Sequence, residues 1–140
     1  ARYEGIDAQG RAYTLTAESA VRDMLNPDSV ILTKPKADIM LEEGRGWLGG
    51  GADSGVYDNA KGSLRLSGNV TVFHDAGYEL ALSEVDIDLK ATTAQSQKPV
   101  RLQGPMGELT AVAVDVREGG NIIVFPGPAR MILHKSKTGA

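Results

Sequence analysis

The residues best equipped for chemistry in this chain are few and scattered. His74 and Asp75 form a dipeptide that metal centres use, but the only other histidine is His134, and a hydrolytic metal site needs more ligands than these. Glu42 and Glu43, and Asp86 and Asp88, are paired carboxylates of the kind that share general acid and base work. Asp86 and Asp88, however, alternate with Val85, Ile87 and Leu89, which sets them on the outward face of a strand. Glu42 and Glu43 run into Gly44-Arg45-Gly46, a turn, so solvation accounts for both pairs. Ser54 and Ser67 have no histidine base near them, and Gly49-Gly50-Gly51-Ala52 lacks the lysine of a phosphate-binding loop. The sequence predicts no enzyme, no metal site and no cofactor.

The elements that would position these residues read almost wholly as β. Ser83, Val85, Ile87 and Leu89 alternate with Glu84, Asp86, Asp88 and Lys90, placing aliphatics on one face and charges on the other. The same period runs through Tyr13-Leu15-Ala17, Val30-Leu32, Ile39-Leu41, Leu64-Leu66, Tyr78-Leu80-Leu82 and Val112-Val114-Val116. Glycine, Asn and Asp clusters at 42–46, 58–62, 75–77 and 118–121 supply hairpin chemistry between the runs. Thr16 to Leu25 also fits helical spacing, although the alternation entering it favours a strand. Gly49-Gly50-Gly51 after Trp47-Leu48 reads as a bulge or a flexible linker. Short strands at close intervals predict an all-β antiparallel sandwich, roll or partly open barrel.

One unit recurs. Leu64 to Asp75 carries an apolar run, the pair Gly68-Asn69 and a resumed apolar run, and its outline returns at Leu102-Gln103-Gly104-Pro105-Met106 and at Phe125-Pro126-Gly127-Pro128-Ala129. A weaker copy runs from Leu15 to Ala37 with proline, in Lys34-Pro35-Lys36, where the others have glycine. Strand, kink and strand repeated in this way build a long hydrophobic surface, better suited to holding an apolar ligand than to catalysis.

Composition narrows the partners. The 140 residues are expected to form a single domain over 1–140, and 41% apolar content is enough for a core. A net charge of -3 offers no basic footprint for nucleic acid. Cysteine is absent, which removes disulfides and thiolate chemistry. Aromatics at 5% are too few for a carbohydrate-stacking surface. The longest apolar runs are four residues, Ala111 to Val114 and Ile122 to Phe125, against roughly 18 for a membrane-spanning helix. The sequence begins at Ala1 without an initiator Met, so removal of an upstream tag, signal or membrane anchor is expected.

Taken in order, 2–11 (RYEGIDAQGR), Tyr13-Thr14-Leu15-Thr16-Ala17, Pro35-Lys36-Ala37-Asp38-Ile39, Gly55-Val56-Tyr57-Asp58, Leu66-Ser67-Gly68-Asn69-Val70, 73–79 (FHDAGYE) and Gln103-Gly104-Pro105-Met106-Gly107 resemble the periplasmic domain of the LptC family of lipopolysaccharide export proteins. The likeness covers nearly the whole chain, with Gly49-Gly50-Gly51 as a departure from the family's strand-like continuation. It implies a twisted open β-jellyroll in the periplasm, anchored in the inner membrane by a helix ahead of this sequence. It further implies that the domain receives lipopolysaccharide from an LptBFG-type ABC transporter and passes it to an LptA-like protein.

An apolar lining for the acylated lipid A part is expected from Leu32, Ile39, Leu41, Leu64, Leu66, Val70, Val72, Tyr78, Leu80, Leu82, Val85, Ile87, Val112, Val114, Ile123, Phe125, Met131 and Leu133. Ordinary core packing produces the same pattern, so the expectation concerns the face as a whole. Edge strands able to pair with neighbouring rolls are expected at Arg2-Tyr3-Glu4-Gly5-Ile6, toward the transporter, and at Ala129-Arg130-Met131-Ile132-Leu133-His134, toward the LptA-like partner. The same edges would support a homodimer, or a scaffold that joins envelope proteins without carrying cargo.

Overall fold

In the computed structural model of the chain, residues 2–40, 46–120 and 122–133 are described. They form fifteen strands and one 3-10 turn. The first seven strands are β1 (Arg2–Ile6), β2 (Ala12–Thr16), β3 (Ser19–Arg22), β4 (Ser29–Thr33), β5 (Lys36–Met40), β6 (Trp47–Gly51) and β7 (Ser54–Asp58). Two long strands follow, β8 (Ser63–His74) and β9 (Tyr78–Asp88). Then come β10 (Thr93–Ser96), β11 (Val100–Gly104), β12 (Gly107–Ala111), β13 (Val114–Arg117), the 3-10 turn Glu118–Gly120, β14 (Ile122–Val124) and β15 (Ala129–Leu133). Thr16 to Leu25 is not helical: it holds the end of β2, a corner and all of β3, in keeping with the alternation that enters it.

All pairing is antiparallel, and the network divides into two arms on a shared spine. The N-terminal half of β8 pairs with β7 and its C-terminal half with β6; the halves of β9 likewise pair with β11 and β10. One arm therefore runs β1-β2-β5-β6-β8-β9-β11-β12-β15, the other β3-β4-β7-β8-β9-β10-β13-β14. The chain crosses between arms at corners near 17–18, 34–35, 52–53, 68–69, 83–84, 97–99, 112–113 and 125–128. The outcome is an open β-jellyroll. The expected kinks at Pro35, Gly68 and Gly127 are corners, but Gly104-Pro105-Met106 is a hairpin turn, because Gly104 pairs with Gly107 across it.

The corner at Gly68-Asn69 shows how a strand is bent. Both residues have positive φ, 80° and 48°, and the register of β8 against β9 shifts by one residue between Ser67 and Val70. That bulge lets Leu66 and Val70 both face inward while β9 switches from Leu82 to Val85 on the inner face. Asp53 holds the corner line together: its amide donates to Gly68 O, its carboxylate accepts from Asn69 Nδ2 and Lys34 Nζ, and its carbonyl accepts from Lys34 N. The bonds from Asn69 and Lys34 hold the Asp53 carboxyl below its ordinary pKa.

The core lies between the arms. Leu15, Leu32, Leu64, Leu66, Val70 and Val114 are almost wholly enclosed, with Tyr13, Tyr57, Leu80, Leu82, Val85, Leu89, Val100 and Ala111 around them. Gly49-Gly50-Gly51 is neither a linker nor a bulge: it is regular strand, paired on both sides with β5 and β8. A Cβ on Gly50 would lie 2.6 Å from Thr71 O, so the bare backbone allows a close approach to β8.

An apolar lining closed at one end and open at the other

Strand register assembles the candidate lining into rows that cross the strands. On the first arm, Tyr3, Leu15, Ala37, Gly50, Val72, Leu80, Leu102, Leu109 and Met131 are successive cross-strand partners. A parallel row holds Val70, Leu82, Val100, Ala111 and Ala129. On the second arm, Val30, Tyr57, Leu64, Ile87, Ala94, Val116 and Ile123 succeed one another. Side chains along such a row are neighbours, so the inner face is apolar from β1 to β15, with bare backbone at Gly50.

The expected lining residues divide by position. Leu32, Leu64, Leu66, Val70, Leu80, Leu82, Val85 and Val114 are buried, and Ile39, Val72, Ile87 and Phe125 are half-buried against them. Tyr78, Val112, Ile123, Met131 and Leu133 are exposed. Val112 stands at a corner rather than on a strand, so its alternation with Val114 does not carry it inside. Tyr78 begins β9 at the tip of the first arm. Leu41 and His134 fall outside the described residues. Tyr13, Leu15, Tyr57, Leu89, Val100 and Ala111 belong to the same enclosed surface and were not expected in the lining. The Tyr13-Leu15 alternation pointed to two of them.

The two ends differ. At the β1 end, three tyrosines fill the space between the arms: the Tyr3 and Tyr57 rings lie 5.1 Å apart at 50°, and Tyr13 and Tyr57 are buried. Burial, reinforced by Tyr13, Tyr3 and Asp58, pushes the Tyr57 hydroxyl up to about 12, and that hydroxyl donates to Asn59 Oδ1. Asp7 and Arg11 form an ion pair at 2.8 Å beside this plug, with side chains 1% and 7% exposed. At the β15 end, Met131 and Leu133 are 60% and 65% exposed although they continue the inner rows. Between the arms, a cavity of about 90 Å³ is lined by residues including Tyr13, Ala37, Ile39, Leu48, Gly50, Leu66, Val72, Ile87, Leu89 and Thr92.

The chemistry-bearing residues do not converge. Ser54 and Ser67 hydroxyls bond each other at 3.0 Å across the corner. Asp86 pairs outward with Arg65 at 2.6 Å, while Asp88 accepts the Lys90 and Ala91 amides and so caps the β9–β10 turn. His74 Nδ1 accepts the Ala76 amide. Among the described residues no group of three or more His, Asp or Glu side chains is placed to hold a metal, and no helix is long and apolar enough to cross a membrane. Glu42 and Glu43 fall outside the described residues. β1 and β15 stand at opposite edges of the first arm, each paired on one side alone among the described residues.

The class of protein defined here is an open β-roll with an apolar inner face and terminal strands that each leave one edge unpaired among the described residues. Within that class the family is settled by sequence: the model described as Lipopolysaccharide-assembly, LptC-related matches residues 1–125, and the chain belongs to this family. Its role is accordingly in lipopolysaccharide transport and assembly. No curated protein matches the chain.

Proposed function

We propose that this roll binds the acylated lipid A part of lipopolysaccharide against its inner face, receiving it from an inner-membrane ABC transporter and passing it to an LptA-like roll in the periplasm. β1 joins the transporter side and β15 the outgoing side, each by strand addition. The observation that supports this reading is the apolar row from Tyr3 to Met131, whose last residue stands uncovered on the β15 edge strand. Burial of an acyl chain contributes about 0.8 kcal/mol per methylene, and uniform aliphatic walls hold successive positions at similar affinity, which onward movement requires. A domain anchored upstream and working in the periplasm fits this role.

The test is photo-cross-linking of purified protein with lipopolysaccharide. A photoreactive residue at Leu66 or Ile87 is expected to trap lipid, and the same residue at Asp86, on the outer face, is not. Asp86 is a better control than Asp88, which borders the cavity. Absence of adducts at both inward positions, with an LptA-like partner still bound, would leave the chain a cargo-free scaffold.

A further inference from the structure

The cavity between the arms is smaller than the roughly 150 Å³ that accommodates a single benzene ring. An acyl chain arriving from the closed β1 side therefore enters between the arms only if they separate there, and the bonds that oppose separation are concentrated at the β1–β2 turn. Ala8 N donates to Lys90 O at 2.6 Å, Thr92 Oγ1 donates to Asp7 Oδ2 at 2.6 Å, and Arg11 Nη2 donates to Gly119 O at 2.8 Å. Asp7 and Arg11 belong to the tip of the first arm, whereas Lys90, Thr92 and Gly119 belong to turns at the tips of the second. Within the first arm, the Asp7 carboxylate also takes the Gln9 and Arg11 amides and Arg11 Nε, so the turn is rigid.

Three features make this junction releasable. Arg11 Nη1 is buried without a hydrogen-bond partner, and opening would return it to water. Thr92 is a β-branched residue at φ 53°, and Glu118, beside the Gly119 acceptor, sits at φ 51°. Such residues hold left-handed backbone only where their surroundings impose it. The second arm is thus strained at both places where the first arm grips it, and Thr92 also lines the cavity.

We propose that Asp7, Arg11, Thr92 and Gly119 form a latch across the mouth of the roll, and that its release admits the acyl chain. The inference rests on the lipid-carrying reading above and adds the step that gates it.

The chain has no cysteine, so no native thiol competes with an introduced pair, and oxidation at high dilution favours the bond within one chain. Ala8→Cys with Ala91→Cys, placed beside the Ala8–Lys90 bond, is combined with the photoreactive residue at Leu66 and exposed to purified lipopolysaccharide. The oxidised protein is expected to lose the adduct and to regain it on reduction, one polypeptide serving as its own folding control. Thr92→Val, which removes one cross-arm bond, is expected to speed adduct formation about tenfold and to accelerate exchange of the Ala8 amide, with Leu66 and Val85 amides unchanged. Equal adducts in oxidised and reduced protein, or faster Ala8 exchange without faster uptake, would overturn the latch alone. No adduct in either redox state would overturn the lipid-carrying reading, and the latch with it.

Discussion

Leu15 and Met131 occupy the same transverse row of the inner face, seven strands apart in the first arm, yet Leu15 is fully enclosed and Met131 is 60% exposed. Both are large apolar residues on alternating strands. What differs is the opposite wall. Leu15 stands where the Tyr3-Tyr13-Tyr57 cluster and the Asp7–Arg11 turn bring the arms together, whereas among the described residues no element covers the inner side chains of β15. The same residue chemistry is core at one end and open surface at the other, and the apolar surface left open beside an unpaired strand edge is where the proposed partner would add.

The comparison can be broken most directly by truncating its two members. Leu15→Ala is expected to lower the unfolding free energy by about 4 kcal/mol, through lost burial and a cavity that packed neighbours cannot refill. Met131→Ala should change it by less than about 0.5 kcal/mol. Urea denaturation of both variants decides this, and similar losses would mean that β15 is packed in solution.

A smaller effect is expected at the turn that fastens the closed end. Asp7→Ala leaves the Arg11 guanidinium buried without its anion, and because the pair lies near a turn its loss is placed at about 3 kcal/mol, the lower end for buried pairs. The same urea series measures it; a loss no larger than that of an exposed ion pair would remove the turn from the fastening of this end.

Acid tests the same end more gently. Burial alone would raise the Asp7 pKa, but hydrogen bonds from Thr92, Arg11 and Gln9 outweigh it and hold the carboxyl below its ordinary value of 3.8. The folded state therefore binds this proton more weakly than the unfolded chain does. Stability from Asp7 is complete above the ordinary value and declines as the pH falls through the lowered one. Wild type should lose more of its urea midpoint between pH 6 and pH 3 than Asp7→Asn, which lacks that component; parallel losses would contradict the assignment.

At the open end the expected change is in association rather than folding. Leu133→Glu should leave the urea midpoint in place while weakening binding of an LptA-like roll about tenfold, through a charge set in the apolar edge. Isothermal titration with the partner reads this, and unchanged affinity would move the joining surface away from β15.

Much of this was legible in the chain. Alternation put Leu64, Leu66, Val85 and Val114 on an inner face because a strand's period of two is a local property, and Gly68-Asn69 announced a bend because left-handed backbone has few suitable residues. The family likeness was legible too, through the order of short motifs from Arg2 to Gly107.

Other features depended on strands meeting across the fold. Nothing local separates Val112 from Val114, yet one stands at a corner and the other in the core. Gly49-Gly50-Gly51 has the composition of a linker, and only pairing with β5 and β8 makes it strand. Asp7 and Thr92 are 85 residues apart, and no sequence period links them. Periodicity determined which residues can face inward; contact between the arms decided which are covered, since burial is a property of two surfaces and the sequence describes one at a time.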